Sequence, residues 1–236
     1  MIPMSRPPVS DPDRVRDMFA GIASRYDLLN HLLSGNLDRR WRRRTAETLP
    51  DGVERVLDLA GGTGDLTLAV ARCHPEARVI CCDFCRPMLD RAGPKFRKHG
   101  GSLARIEGDA LRLPFADGAF DAVTVGFGVR NFADLDAGLR EIRRVLAPGG
   151  TLAVLEFSQP DEGRAGRLYR GYLGRWLPKL GDGISGRRGP YGYLARTIGA
   201  FPDAPRLAGL VRQAGFRACD WEKRTFGIVA IHRAIA

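Results

Sequence analysis

No stretch of this chain approaches 18 uninterrupted apolar residues, which excludes an ordinary transmembrane helix. The N-terminal Met1–Ser10 carries three prolines and no apolar h-region. It does not read as a signal peptide, and a disordered lead-in is expected. Cysteine is sparse, with five in all, and Cys82-x-x-Cys85 has no second pair to complete a zinc or disulfide framework. Cys81 and Cys82 lie in an apolar run, where buried free thiols are ordinary, and the set suits a reducing compartment. Metal-ligand clusters, a P-loop, a Ser/His/Asp set and internal repeats are all missing, so no metal is expected. Acidic residues are outnumbered, 27 against 37 Lys and Arg, which gives a net charge of +10. Such a balance favours partners with phosphates, either nucleic acid or an anionic membrane surface. The length of 236 residues and an apolar fraction of 44% support one sizeable domain over 1–236.

The informative stretch is Val56-Leu57-Asp58-Leu59-Ala60-Gly61-Gly62-Thr63-Gly64-Asp65. Val56 to Leu59 is long enough for a buried strand and too short for a helix. Three glycines in four positions let the backbone turn sharply and approach a ligand. Leu66, Ala69 and Val70 then follow helical spacing. Strand, turn and helix in this order place the turn at the carboxyl end of a strand, where ligands bind in α/β sheets. Gly62 and Gly64 fit a dinucleotide fingerprint, but its third glycine is replaced by Thr67. Asp83 closes the next strand and is placed to take ribose hydroxyls. Together they suit an adenosine-type ligand without a pyrophosphate, and S-adenosylmethionine is such a ligand. The bland alternative is a tight turn with no ligand, against which stands the entropy that three glycines cost.

Residues 11–50 read as an N-terminal helical cap. Asp11-Pro12 can start a helix. Val15, Met18, Phe19, Ile22, Tyr26, Leu29 and Leu33 keep helical spacing until Gly35. Asp38 can cap a second helix to about Leu49, which holds Arg39-Arg40-Trp41-Arg42-Arg43-Arg44. That run reads as a solvated face with Trp41 turned inward, or as a phosphate contact. A helix from about Arg86 is expected to break or kink at Pro94. Leu103–Glu107 and Phe120–Val125 are further strands, and Asp109 falls at the same rim as Asp83. A helix over Leu135–Leu146 should stop at Pro148-Gly149-Gly150, before a fifth strand, Thr151–Phe157. Strands alternating with helices imply a doubly wound, mostly parallel sheet. Ala218–Thr225 and Ile228–His232 read as an antiparallel pair added at its edge. Between them and strand five, residues 158–204 form an insertion. There Leu168, Tyr169, Tyr172, Leu173, Trp176, Leu177 and Leu180 make an apolar stripe among cations, which suits a lid or a membrane-lying helix. Gly181–Tyr193 reads as a flap.

These residues resemble the ubiquinone/menaquinone biosynthesis C-methyltransferases, within the class I S-adenosylmethionine-dependent methyltransferases. The resemblance runs from about Val15 to Ala234. It rests on Ser24-Arg25-Tyr26-Asp27-Leu28-Leu29-Asn30, Trp41-Arg42, Leu57 to Asp65 with Ala60, Phe127-Gly128-Val129-Arg130-Asn131 and Leu155-Glu156-Phe157-Ser158. Arg196 to Pro202 departs from the family pattern. The resemblance implies C-methylation of a prenylated quinol, from demethylmenaquinol to menaquinol and/or in ubiquinone biosynthesis. It also implies S-adenosylmethionine contacts on Thr63, Asp83, Asp109, Ala110 and Gly126, beside Gly62 and Gly64 of the turn. Asp109 is often Asn in the family and Gly126 often Ser. Arg130 and Asn131 are the catalytic candidates, placed to stabilise a developing phenolate. Tyr26, His31 and Tyr193 are weaker candidates, and packing explains Tyr26 and His31 equally well. The implied enzyme is cytoplasmic, meets its prenylated substrate peripherally at the inner face of the membrane, and binds no nucleic acid. Oligomeric state is open, a homodimer included. Another lipophilic acceptor is the alternative. A nucleic-acid methyltransferase would explain the charge, but no Asp/Asn-Pro-Pro-aromatic motif for a flipped base is found. A degenerate scaffold would not need the intact turn and Asp83.

Overall fold

The computed structural model describes residues 12–160, 163, 166, 171 and 190–236. The lead-in Met1–Ser10, the Asp11 cap and the Leu168–Leu180 stripe lie outside the described residues.

Strand β1 (Arg55–Leu59) is buried from Val56 onward, as a strand covered on both faces must be. It pairs in parallel with β2 (Arg78–Asp83) on one side and β4 (Phe120–Gly126) on the other. β3 (Leu103–Glu107) continues the sheet beyond β2, and β5 (Leu146–Phe157) beyond β4. The full order is β3-β2-β1-β4-β5-β7-β6, with β6 at Ala218–Arg224 and β7 at Val229–Ile235. The chain steps outward from β1 to β3 and then restarts on the other side of β1 at β4. That reversal opens a crevice at the carboxyl ends of β1 and β4.

Alternation along the strands divides the core. Leu57, Leu59, Val123 and Val125 pack toward α6 (Leu135–Val145) and the helix Ala204–Gln213. Val56, Ala122 and Ala153 pack toward α3 (Leu37–Ala46) and α4 (Asp65–Cys73), against Leu49, Leu66 and Val70. Fully burying each large aliphatic side chain is worth roughly 1.5–3 kcal/mol. Asp58 breaks the apolar pattern, with no exposure at all. Its carboxylate accepts from Thr67 Oγ1 at 2.6 Å and Thr124 Oγ1 at 2.8 Å. Thr67, the residue that replaces the third fingerprint glycine, thus ties α4 to β1. Burial still pushes the Asp58 carboxyl up to about 6. Thr67→Val should lower stability by about 1–2 kcal/mol, because a buried acceptor loses its donor. Chemical denaturation checks this, and an unchanged midpoint would remove the hydroxyl from the account.

Several expectations are corrected. The N-terminal apolar spacing belongs to two helices, α1 (Pro12–Ile22) and α2 (Tyr26–Leu33), joined by a turn in which Arg25 N–H donates to Ile22 O. Periodicity carried across the turn and concealed it. Asp38 caps nothing: α3 starts after Asn36 at φ 63°, and the Asp38 carboxylate turns to Arg42, His31 and Ser34. Trp41 and Arg42 are buried while Arg39, Arg40, Arg43 and Arg44 are exposed, so most of the basic run is a solvated face. Pro94 does not break α5 (Arg86–His99); Asp90 and Pro94 are both exposed, where water can serve the carbonyl that the proline leaves unpaired. Pro148-Gly149-Gly150 lies inside β5, and the register shift between Phe120 and Ala122 absorbs the extra residues. The C-terminal antiparallel pair is added at the sheet edge as expected, with β7 antiparallel to both β5 and β6 and β6 outermost. Pro190–Ala200 is the helix α7, which takes in Pro190 to Tyr193 of the expected flap, while residues 181–189 of it lie outside the described residues; Ala204–Gln213 is then α8.

No helix among the described residues is long and apolar enough to cross a membrane.

Candidate functional site

Two clefts meet at the crevice. The first, of about 930 Å³, is built on the carboxyl ends of β1, β2 and β4 and is roofed by α1. The backbone makes it possible. Gly61 must lack a Cβ, because one would stand 2.5 Å from Cys81 Sγ and 3.0 Å from Asp58 Oδ2. Gly64 sits at φ 82° as α4 begins, with the Phe96 ring where its Cβ would be. The turn is therefore pressed onto the sheet at one end and onto α5 at the other. Between them Gly62 N–H donates to Asp83 Oδ2 at 2.8 Å. Cys85 N–H donates to Asp83 Oδ1, also at 2.8 Å. Burial outweighs these donors and pushes the Asp83 carboxyl up to about 6.

Gly62, Asp83, Asp109, Ala110 and Gly126 all line this cleft, as does Asn131. Thr63 and Gly64 do not. Thr63 is buried, and its hydroxyl donates to Asp27 of α2. Lys95 holds Asp27 at 2.6 Å and Asp65 at 2.7 Å, so the turn is strapped to the helical cap. Asp109 spends Oδ1 on Leu111 N–H, 2.9 Å away. Phe84 and Met88 add apolar lining that sequence reasoning missed; Phe84 directly follows Asp83, and that adjacency was the available signal.

The second cleft, of about 670 Å³, lies between α1, α2, α3 and α7. Met18, Ile22, Trp41, Phe157 and Leu194 make most of it apolar, and Arg130, Arg42, Asn30 and Tyr26 supply polar groups. Phe19, Tyr26 and Phe127 line both clefts. Phe127 holds this place at φ 59°, a strained conformation for an aromatic residue. Its ring is gripped by Trp41 and Phe157, with centroids 6.3 and 4.8 Å away.

Arg130 Nη1 donates to Glu156 Oε1 and to Phe127 O, both at 2.6 Å. The Arg130 and Glu156 side chains are 5% and 1% exposed. The guanidinium lies over the Phe157 ring at 5.3 Å, and Arg130 Nε is buried without a partner. Burial pushes the Glu156 carboxyl up, opposed by Arg130. Glu156 was absent from the expected site, although it lies within the Leu155–Ser158 motif. Asn131 accepts from Tyr193 OH at 3.2 Å, which links α7 to the first cleft. Burial also raises the Tyr26 phenol, with Arg130 and Arg42 opposing.

His31 lines neither cleft. Its Nδ1 is 2.8 Å from Asp38 and its Nε2 3.9 Å from Asp65. These three residues place ligand atoms within 4.8 Å of one another. Arg42 and Lys95 already answer the two carboxylates. Cys82 and Cys85 are free and buried, and burial pushes their thiols up to about 12 and about 11, which leaves them unreactive.

Comparison with known proteins places the fold and the family. Among solved structures, the [4+2]-cyclase SpnF aligns with a TM-score of 0.71 at 22% identity over 98% of each chain. A SAM-dependent methyltransferase from Aquifex aeolicus aligns with a TM-score of 0.58 at 15% identity, over 96% of this chain and 90% of that one. Likeness at this level shows the fold alone, and a cyclase among the neighbours illustrates why. Sequence similarity reaches further. The demethylmenaquinone methyltransferase of Thermus thermophilus is 51% identical over 216 residues, 91% of this chain and 98% of its own. That of Deinococcus radiodurans is 46% identical over 232 residues, 96% of each. The model of the ubiE/COQ5 methyltransferase family matches residues 8–236, and the chain belongs to that family.

Proposed function

We propose that this chain is an S-adenosylmethionine-dependent C-methyltransferase that converts demethylmenaquinol to menaquinol. The observation that carries the reading is the pair of clefts sharing the Tyr26–Phe127 wall. One cleft offers a buried carboxylate beside a Gly-rich turn, with Arg16 the one basic side chain among its described lining residues. The other offers a largely apolar chamber with two buried guanidinium groups, Arg42 and Arg130. Similarity to demethylmenaquinone methyltransferases favours the naphthoquinol over the benzoquinol acceptor.

Asp83 would take the ribose hydroxyls, and Phe84, Met88 and Ala110 would flank the adenine. Bound S-adenosylmethionine supplies a sulfonium methyl that is already electrophilic. The protein then has to position and polarise the acceptor. Phe127 and Phe19 hold a ring against the shared wall and exclude water. Arg130 Nε, unpartnered beside the second cleft, is the donor for the acceptor's hydroxyl oxygen and stabilises phenolate character there. Tyr26, kept protonated by burial, donates to the same oxygen, and Asn131 holds α7 over the site through Tyr193. The isoprenoid tail lives in the bilayer, so the enzyme works peripherally at the inner face of the membrane, and the excess positive charge serves that surface rather than nucleic acid.

Purified protein incubated with methyl-labelled S-adenosylmethionine and reduced demethylmenaquinol should give labelled menaquinol by mass spectrometry. Transfer to a demethylated benzoquinol in preference would overturn the naphthoquinol assignment. No transfer to either would overturn the reading.

A further inference from the structure

Leu28 and Leu32 are 63% and 56% exposed, one turn apart on α2, and Phe226 is 70% exposed in the β6–β7 turn. α2 turns Tyr26 and Asn30 into the second cleft while these leucines face outward. The β6–β7 turn belongs to the same rim. Ser158 N–H, just past the carboxyl end of β5, donates to Ile228 O at 2.9 Å. Trp41, which lines the second cleft, donates from Nε1 to Thr225 Oγ1 at 2.9 Å. Among the described residues, three of the four exposed large apolar side chains therefore border the cleft rim; the fourth, Trp221, is on the edge strand.

The turn is also strained. Thr225 and Phe226 both adopt left-handed backbone, at φ 51° and 55°, before Gly227 at φ 78°. A β-branched and an aromatic residue in succession are poor choices for that region. Thr225 is half-buried and accepts the Trp41 bond, but Phe226 gains little packing in return and stays mostly in solvent. Strain without packing directs attention to a role outside the fold. α3 packs against α2 and reaches the turn through Trp41. It carries Arg39 and Arg40, exposed and without an ion pair among the described residues.

We infer that Leu28, Leu32, Arg39, Arg40 and Phe226 form the face by which this protein docks on an anionic lipid bilayer. The apolar side chains enter the acyl boundary and the arginines meet headgroup phosphates, so the second cleft opens toward the membrane. Exposed apolar anchors with exposed arginines on the adjoining helix, in a chain of net charge +10, suit that partner. The inference deepens the quinol reading above and rests on it for the reason that the cleft faces lipid.

Sedimentation with sucrose-loaded vesicles tests it, using phosphatidylcholine with and without phosphatidylglycerol. The full chain should bind the anionic vesicles, reversibly and less at high salt. Leu28→Ser/Leu32→Ser/Phe226→Ser should weaken partitioning about tenfold or more, and Arg39→Gln/Arg40→Gln should remove most of the dependence on anionic lipid. Arg91→Gln/Arg97→Gln, on exposed positions of α5, should change little. Phe226→Ser alone, with its thermal midpoint checked, covers the case in which the triple variant does not fold. Vesicle binding that is absent, or unchanged in Phe226→Ser and the triple variant, overturns the inference, as does capture of a protein partner through this face without lipid binding. Turnover of a short-tailed demethylnaphthoquinol in solution separates the two readings. If that turnover is normal and lipid binding is absent, docking falls and the methyltransferase reading stands. If lipid binding is normal and no quinol is methylated, the reverse holds.

Discussion

Arg130→Ala should lower kcat with a quinol acceptor by on the order of 100-fold. Its cofactor dissociation constant should stay within a factor of about two, because Arg130 lines the second cleft and not the first. The same substitution should destabilise the fold by about 3–5 kcal/mol, because it leaves the Glu156 carboxylate buried without its cation. Loss of activity in the single variant is then ambiguous, since a weakened fold also loses turnover. Arg130→Ala/Glu156→Gln removes the ambiguity. The amide relieves the unpaired charge, still accepts from Phe157 N–H, and should recover most of the lost stability. It restores no donor beside the acceptor, so kcat should stay low. Denaturation midpoints and kcat are measured on the same preparations. A double variant that regains turnover along with stability would show Arg130 to be a structural residue.

Arg130→Lys sharpens the point. The present fork spends Nη1 on Glu156 and the Phe127 carbonyl while Nε stays unpartnered. A lysine can neutralise Glu156 but cannot hold that contact and face the cleft in the same geometry. It should keep most of the stability and little of the turnover.

The sheet was legible because its strands are short apolar runs separated by Gly-rich or Pro-rich breaks. The crevice was legible because Asp83 and Asp109 close such runs on the same rim. The turn was read correctly as a turn, but for an incomplete reason. The entropy of three glycines pointed to a ligand, whereas the Gly61 and Gly64 positions are accounted for by Cys81, Asp58 and Phe96 pressing on the backbone. Gly62, the remaining one, lines the cleft. Thr67 counted only as a missing glycine; its hydroxyl in fact satisfies Asp58 nine residues earlier. Contacts of long sequence separation were out of reach. Nothing in the chain announces that Thr63 meets Asp27, that Trp41 meets Thr225, or that Arg130 meets Glu156. Each depends on how the helical cap and the strand ends converge, which local spacing does not encode. The placement of β7 inside the sheet was hidden for the same reason: alternation in a strand shows which face is buried, not which neighbour it pairs with.

Asp83→Ala should weaken S-adenosylmethionine binding by roughly 100-fold, about 3 kcal/mol, the sum of two hydrogen bonds to a charged acceptor. Two effects add. The ribose hydroxyls lose their acceptor, and the Gly62 and Cys85 N–H groups lose the carboxylate that fixes them. Asp83→Asn keeps an acceptor of the same shape and should fall between the variant and the parent. The pH dependence separates charge from shape. Burial holds the Asp83 carboxyl at about 6, above the ordinary carboxylate range, so its proton is bound more tightly in the fold than in the unfolded chain. The carboxyl therefore favours the folded state at low pH, and that contribution declines as pH rises from the ordinary range to about 6. Cofactor binding runs the opposite way, because only the carboxylate can accept from both hydroxyls while it holds the two N–H groups. Affinity of the parent should rise as pH increases through about 6 and level off above it. Asp58, which burial also holds at about 6, touches no cleft and should leave that profile alone. In Asp83→Asn the step should vanish. Titration calorimetry between pH 5 and 8 reads it directly, and a parent profile that is flat across this range would remove the Asp83 carboxylate from cofactor recognition.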